Sequence, residues 1–170
     1  MVEKSISKVA SSAASGGSSK GEAIRTFKGA FSFLSNFSDD PVRMDDGILY
    51  PTAEHAFQAQ KILDVEKRRS MVEKCKTAKS AKAWGRRAKP LREGWNDIRL
   101  DVMRQVVRAK FMAGSESLRS MLMETGDREL VEGNVWNDTF WGVSLRSGKG
   151  QNNLGKIIME VRGELLKKDE

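Results

Sequence analysis

The chain has 170 residues, 39% hydrophobic and 31% charged, and a net charge of +7. These figures fit one soluble globular domain with its own core, not a disordered or membrane chain. The single cysteine, Cys75, leaves no internal disulfide and no cysteine-cluster metal site.

No apolar run approaches the roughly 20 residues of a membrane span. Glu3 stands where a signal peptide would carry positive charge. A cytoplasmic protein is therefore expected.

Residues 1–23 are rich in Ser, Ala, Gly and Lys and read as a flexible tail. A single domain is expected over 24–170, opening with a short strand, IRTF. The mixed segment FSFLSNFSDD follows. Asp45, Asp46 and Gly47 then signal a hairpin, because Asp-Gly tolerates the positive φ of a type I′ turn.

From Ala53 onward, helices are predicted at 53–63, 65–75, 78–88, 96–113, 115–124 and 153–167. Thr52, Asp64, Thr77 and Ser115 are suited to cap them. Pro90 must end or interrupt the third. Ile98, Val102, Val106 and Ala109 form an apolar stripe, and Met103, Met112, Met121 and Met123 fill gaps in the core. The expected fold class is α+β, mainly helical, with a small antiparallel β element near the N-terminal side.

The segment YPTAEHAFQAQK, residues 50–61, is chemically the most unusual. At about 100° per residue, Glu54, Gln58 and Lys61 share one helical face. Such a stripe is either solvated, with Glu54 favoured by the helix dipole, or the wall of a polar cleft. His55, the one histidine, lies off it.

Asn36 in LSNF offers both a donor and an acceptor to a base or ribose, or simply serves a turn. In WNDTFWG, residues 136–142, aromatic rings surround Asp138. Such rings stack on flat heterocycles, and a carboxylate among them is suited to acid/base work. The alternative is an aromatic cluster whose aspartate caps a turn.

In SGKGQNNLGKIIMEV, residues 147–161, a glycine-rich loop with Lys149 runs into a helix. This is a possible phosphate cradle, although the spacing is not that of a Walker A loop.

Between Lys61 and Lys110 stand 16 Lys or Arg and 6 Asp or Glu, a local +10 that leaves −3 for the rest. This suggests an anionic partner, either nucleic acid or a phosphorylated small molecule, or only solvated helices. Within it, Arg86 or Arg92 of GRRAKPLREGW is able to clamp a phosphate. No metal constellation is present, and no cofactor is expected.

Together LSNF, YPTAEHAFQAQK, GRRAKPLREGW, WNDTFWG and GKGQNNLG, in this order over residues 26–167, resemble the YbiA-like or NADAR family. The resemblance implies a hydrolase that cleaves the N-glycosidic bond between ribose and base. Two substrate classes are associated with the family: ADP-ribose on guanine in nucleic acid, and phosphorylated ribosyl-pyrimidine intermediates of riboflavin synthesis.

Carried over, Glu54 and Asp138 match the family's acids and Lys61 the lysine closing its helix motif. Asn36, Gln58, Trp95, Trp141, Gly142 and Asn152 also occupy motif positions. Ala56 departs from relatives that carry an aromatic residue there, which is expected to alter substrate packing.

On this reading Glu54, Asp138 and Lys61 are the catalytic candidates. Glu54 would steady an oxocarbenium-like centre or activate water. Asp138 would act as complementary acid or hold ribose hydroxyls. Lys61 would form a Schiff base with the opened sugar or pair with Glu54 or a phosphate.

Asn36, His55, Gln58, Arg86, Arg92, Trp95, Trp141, Gly142, Lys149 and Asn152 are the binding candidates, with His55 expected to support Glu54. The basic middle favours ADP-ribose on nucleic acid over a free metabolite. A non-catalytic module binding ADP-ribose, NAD or nucleic acid is the reading from another class. Two acids beside a lysine argue against it.

Overall fold

The computed structural model describes residues 21–167. The Ser/Gly-rich tail up to residue 20 and residues 168–170 lie outside the described residues. The segment 24–27 is not a strand. Ile24 makes one parallel bridge to Leu130, its N–H donating to the Glu129 carbonyl at 2.8 Å. A 3-10 helix over Gly29–Leu34 leads into the loop that carries Asn36.

Strands β1 (Val42–Arg43) and β2 (Leu49–Tyr50) pair antiparallel, Val42 opposite Tyr50. The hairpin is not closed by a two-residue type I′ turn. Met44 N–H reaches the Ile48 carbonyl at 3.2 Å, and positive φ falls on Gly47 alone, at 76°. The aspartates are spared left-handed backbone, which frees Asp46 for another task. Its carboxylate accepts from Tyr50 Oη at 2.7 Å, Arg68 Nη1 at 2.8 Å and Gln60 Nε2 at 3.2 Å.

Six helices follow: α1 (Ala53–Ala59), α2 (Val65–Lys74), α3 (Ala78–Gly85), α4 (Trp95–Phe111), α5 (Glu116–Glu124) and α6 (Asn153–Leu166). Thr52, Asp64, Thr77 and Ser115 each accept from a backbone N–H at the start of their helix, as their sequence positions suggest.

Helix α1 ends four residues earlier than expected, because the chain tightens at 60–62 into shorter-range turns. Gln60 is drawn to Asp46, and the Ile62 carbonyl accepts twice from Arg68, at 2.9 and 2.7 Å. Lys61 therefore sits on that turn.

All seven residues of α1 are buried. Ala53, Ala56 and Ala59 allow close packing, chiefly of α3 and α4, while α4 packs heavily on α6. Ala56 belongs to this core and not to the cleft wall, so an aromatic residue there would first require repacking of the helices. Val102, Met103, Val106, Leu122, Ile158 and Val161 continue the core, with Ile98, Ala109, Met112, Met121 and Met123 packed at its edge. Each large apolar side chain buried here contributes about 1.5–3 kcal/mol.

One element has no counterpart in the sequence reading. Strands β3 (Gly133–Asn134) and β4 (Val143–Ser144) pair in parallel, Gly133 opposite Val143. The intervening loop, 135–142, reaches α1, where Trp141 meets the Phe57 ring at 5.3 Å.

Candidate active site

A cleft of about 780 Å³ opens between α1, α3, α4 and the 132–141 segment. Its floor comes from α1. Glu54 is held there by its N–H, which donates to the Asn36 carbonyl at 2.9 Å, and by Gln58, whose Nε2 donates to Glu54 Oε1 at 2.8 Å. The Glu54 side chain is almost wholly out of water, 6% exposed. Burial pushes its carboxyl above the ordinary value, opposed by the Gln58 hydrogen bond, Lys82 and Lys61 and reinforced by Asp138.

Gln58 fits only because residue 85 is glycine. A Cβ there would collide with the Gln58 side chain. The Gly85 carbonyl in turn accepts from Lys61 Nζ at 3.1 Å. Burial lowers the Lys61 pKa, with Glu54 opposing and Arg86 and Lys82 adding to the shift. Lys61 makes no ion pair with Glu54; its ammonium is spent on α3.

One wall is aromatic. The Phe57 ring lies 5.3 Å from both Trp95 and Trp141, and Trp141 meets Phe140 edge-on at 4.9 Å. Arg99 stacks on Phe140 at 3.7 Å. Trp136, 59% exposed, and Phe37 stand at the mouth. Asn36 lines the cleft beside Met103, whose sulfur accepts its amide at 3.4 Å. The loop carrying Asn36 is anchored by Lys110, whose buried Nζ donates to the Ser35 carbonyl at 2.8 Å and Ser38 Oγ at 2.7 Å.

The facing wall carries Asp138, and the two readings of this residue are compatible. Its Oδ1 accepts from the Phe140 and Trp141 N–H groups at 3.1 and 2.9 Å, and the residue also lines the cleft. Asn134 clamps its backbone, donating to the Asp138 carbonyl at 2.8 Å and accepting its N–H at 2.9 Å.

Of the sequence candidates, Asn36, Glu54, Gln58, Lys61, Arg86, Trp95, Asp138 and Trp141 line the cleft. His55, Arg92, Gly142, Lys149 and Asn152 do not.

His55 is sealed in the core against α2. Its Nε2 donates to the Cys75 carbonyl at 2.9 Å, and Nδ1 lies 2.8 Å from Thr52 Oγ1. It therefore braces α2 against the cap of α1 and does not contact Glu54. Arg92 acts through its backbone N–H, which donates to the Lys61 carbonyl at 2.6 Å. Gly142 is a close approach: a Cβ there would strike the Glu132 carbonyl.

The glycine-rich loop does not cradle an anion. The N–H groups of Gln151, Asn152, Asn153 and Leu154 donate to the carbonyls of Thr139, Gly142, Phe140 and Trp141, at 2.8, 3.3, 3.4 and 3.0 Å. The donors expected to meet phosphate instead buttress the WNDTFWG loop, and Lys149 is exposed beside them.

Cations reach the cleft from elsewhere: Lys28, Lys79, Lys82, Arg86 and Arg99. Lys79, Lys82 and Arg86 are spaced i, i+3, i+7 on α3 and its cap, and Trp95, Arg99 and Met103 are spaced i, i+4, i+8 on α4. Both stripes were legible by helical period. Part of the basic surplus lies apart, where Lys67, Lys74, Arg87 and Lys89 surround Trp84 in a second cleft of about 380 Å³.

Glu132 and Asn134 also face the site and were not singled out from the sequence. Their signal depends on β3, which is two residues long. Among the described residues no helix is long and apolar enough to cross a membrane.

The NADAR domain family matches residues 24–166. N-glycosidase YbiA of Escherichia coli is 44% identical over 133 residues, 78% of this chain and 80% of the relative. The chloroplastic riboflavin biosynthesis protein PYRR of Zea mays is 33% identical over 150 residues, covering 80% of this chain but 24% of that protein. The NMR structure of E. coli YbiA superimposes with a TM-score of 0.76 at 37% identity, covering 89% of both chains. With a family match spanning nearly all described residues and a fold shared with YbiA, the chain belongs to the NADAR domain family.

Proposed function

We propose that this N-glycosidase of the NADAR family removes ADP-ribose from guanine in nucleic acid. The observation that carries the substrate is the cation count at the cleft. Lys28, Lys79, Lys82, Arg86 and Arg99 edge a volume of about 780 Å³, which suits a diphosphate better than a single phosphate. The Phe57, Trp95 and Trp141 wall and the exposed Trp136 provide aromatic faces for the bases.

In this reading the ribose lies over Glu54 with its anomeric carbon near the carboxylate. As the bond to the base lengthens, positive charge grows on the sugar, and the buried Glu54 stabilises it or takes a proton from the attacking water. Asp138, whose Oδ1 is fixed by two backbone N–H groups, holds ribose hydroxyls with its remaining oxygen. Lys61, which donates to the Gly85 carbonyl at 3.1 Å, would have to leave that bond and lose a proton to meet a ring-opened sugar as a neutral amine.

The second reading is a phosphorylated ribosyl-pyrimidine of riboflavin synthesis. It is favoured by relatives named riboflavin biosynthesis proteins. A mass-spectrometric panel separates the two. ADP-ribosylated guanine in DNA, in RNA and as free nucleotide is incubated beside ribosyl-pyrimidine phosphates. Release of ADP-ribose from the oligonucleotides is expected at least tenfold faster than base release from the pyrimidine substrates. The reverse order overturns the proposal in favour of the metabolite.

A further inference from the structure

Three carboxyl groups face the cleft, and Glu132 has no part in the chemistry described so far. Its backbone is fixed on both sides. The N–H donates to Asn152 Oδ1 at 3.0 Å, and the carbonyl accepts from the Val143 N–H at 2.9 Å. The side chain lines the cleft, yet its Oε2 is out of contact with solvent and has no hydrogen-bond partner.

The charged groups around it are Asp138 on the same wall, Glu54 from α1, Lys82 from α3 and Lys28 ahead of the 3-10 helix. None forms an ion pair with it among the described residues. Burial, then Asp138, pushes the carboxyl up to about 7; Lys82 and Lys28 oppose the shift and Glu54 adds to it. Glu54 differs because its ionised form accepts a hydrogen bond from Gln58. Burial raises both acids, but only Glu54 has a fixed donor to its ionised form, while Glu132 Oε2 has no partner, an asymmetry that divides base from acid. A protonated Glu132 is a donor that has no acceptor in the protein.

We propose that Glu132 is the proton donor to the departing base. This rests on the N-glycosidase reading but not on which base is attached. The bond from the anomeric carbon to the base nitrogen breaks with both electrons going to the base. The Glu132 O–H gives its proton to the base, leaving a carboxylate. Water oxygen bonds to the anomeric carbon, and its surplus proton passes to the Glu54 carboxylate. Exchange through solvent then returns one proton to Glu132 and removes one from Glu54. The sum is substrate plus water giving the sugar hydroxyl and the protonated base.

The test is Glu132→Gln, which keeps the shape and removes the transferable proton. With ADP-ribosylated guanine oligonucleotide or a ribosyl-pyrimidine phosphate, whichever turns over, kcat at pH 6 should fall about 100- to 10,000-fold with KM within a few-fold. The wild-type rate should decline above about pH 7, and that decline should vanish in the variant. Unchanged kcat with the basic limb intact overturns the proposal, and a merely structural role would leave that limb in place.

A measurement independent of turnover uses wild-type protein labelled with carbon-13 at glutamate carboxyls. One resonance should titrate near pH 7, assigned by its loss in Glu132→Gln or Glu132→Asp. If Glu132 titrates below about pH 5, near the usual carboxyl range, the proposal fails whether or not a substrate is found. Absence of turnover across the whole panel would sink the N-glycosidase reading instead.

Discussion

The side-chain amide of Asn152 ties α6 to the cleft wall by bridging Leu130 and Glu132. Its Nδ2 donates to the Leu130 carbonyl at 2.8 Å, and its Oδ1 accepts the Glu132 N–H at 3.0 Å. Asn152 stands at the N-cap of α6 with φ of 51°, a left-handed conformation that asparagine tolerates better than most residues. Its side chain makes no cap hydrogen bond because both ends are spent on the 130–132 segment.

Asn152→Gly keeps the backbone conformation and loses both bonds. A loss of about 1–3 kcal/mol in stability is expected from the stranded groups. Asn152→Ala should cost about 1–2 kcal/mol more, through left-handed strain. Urea denaturation of both variants measures this, and a glycine variant as stable as the parent would refute the clamp.

Glu54→Gln preserves the approximate shape of the α1 floor while removing the ionisable oxygen. Turnover should drop at least about 100-fold, while ADP-ribose affinity by calorimetry stays within several-fold. The carboxyl is raised by burial, so the rate of the parent should climb with pH through a value above the ordinary 4.5 as Glu54 ionises. Normal turnover by the variant would remove Glu54 from the chemistry.

The polar stripe of α1 was legible because helical period depends on local geometry alone: Glu54 and Gln58 stay aligned whatever packs around them. The caps Thr52, Asp64, Thr77 and Ser115 were legible for the same reason. Glu132 was not. Its place depends on a parallel pairing of Gly133 with Val143, too short to leave a periodic signal. The glycine-rich loop misled because exposed N–H groups at a helix start suit either an anion or carbonyls from another segment. Only the fold shows that Thr139 to Gly142 supply those carbonyls. His55 was legible as lying off the stripe, but not that its ring would bond Thr52 and the Cys75 carbonyl instead of supporting Glu54, because that carbonyl is brought in by the packing of α2.

Gly85→Ala tests how tightly the floor is built. A Cβ at this position would overlap Gln58 back to its own Cβ, so rotation of the amide end alone does not relieve the clash. The displaced Gln58 would release Glu54 Oε1, and the Gly85 carbonyl would shift from Lys61. The gain in helix propensity is about 1 kcal/mol, and overpacking costs about 1–3 kcal/mol. Stability should therefore fall by up to about 2 kcal/mol while kcat falls at least about tenfold. A variant with parental kcat would show that the Gln58 contact does not matter to turnover.

Lys61 is the residue that separates direct hydrolysis from a covalent route. Burial lowers its pKa, which raises the fraction of neutral amine at working pH. If an imine forms, borohydride added during turnover leaves a ribosyl adduct on the peptide carrying Lys61, and Lys61→Arg abolishes it. If an enzyme that turns over yields no adduct, water attacks directly and Lys61 serves to place phosphate or steady Glu54.

Asp46 bears on stability, and its pH dependence has a definite sign. It pairs with Arg68 at 2.8 Å, both side chains being 7% exposed. Burial works against its charge, but the Tyr50 hydroxyl, the Ile48 N–H, Arg68 and Gln60 together more than offset it, so the folded pKa lies below 3.8. A depressed folded pKa means that the unfolded chain binds the proton more readily. The contribution is complete well above 3.8 and is lost as pH falls through the folded value.

Asp46→Asn leaves Arg68 buried without a counter-charge and should cost about 3–5 kcal/mol at pH 7. The difference from the parent should shrink in strongly acidic solution, where the parent's carboxyl is itself protonated. Urea denaturation at pH 7, 5 and 3 follows it. A loss that stays equal across all three would mean that the carboxylate charge is not what holds β1, β2 and α2 together.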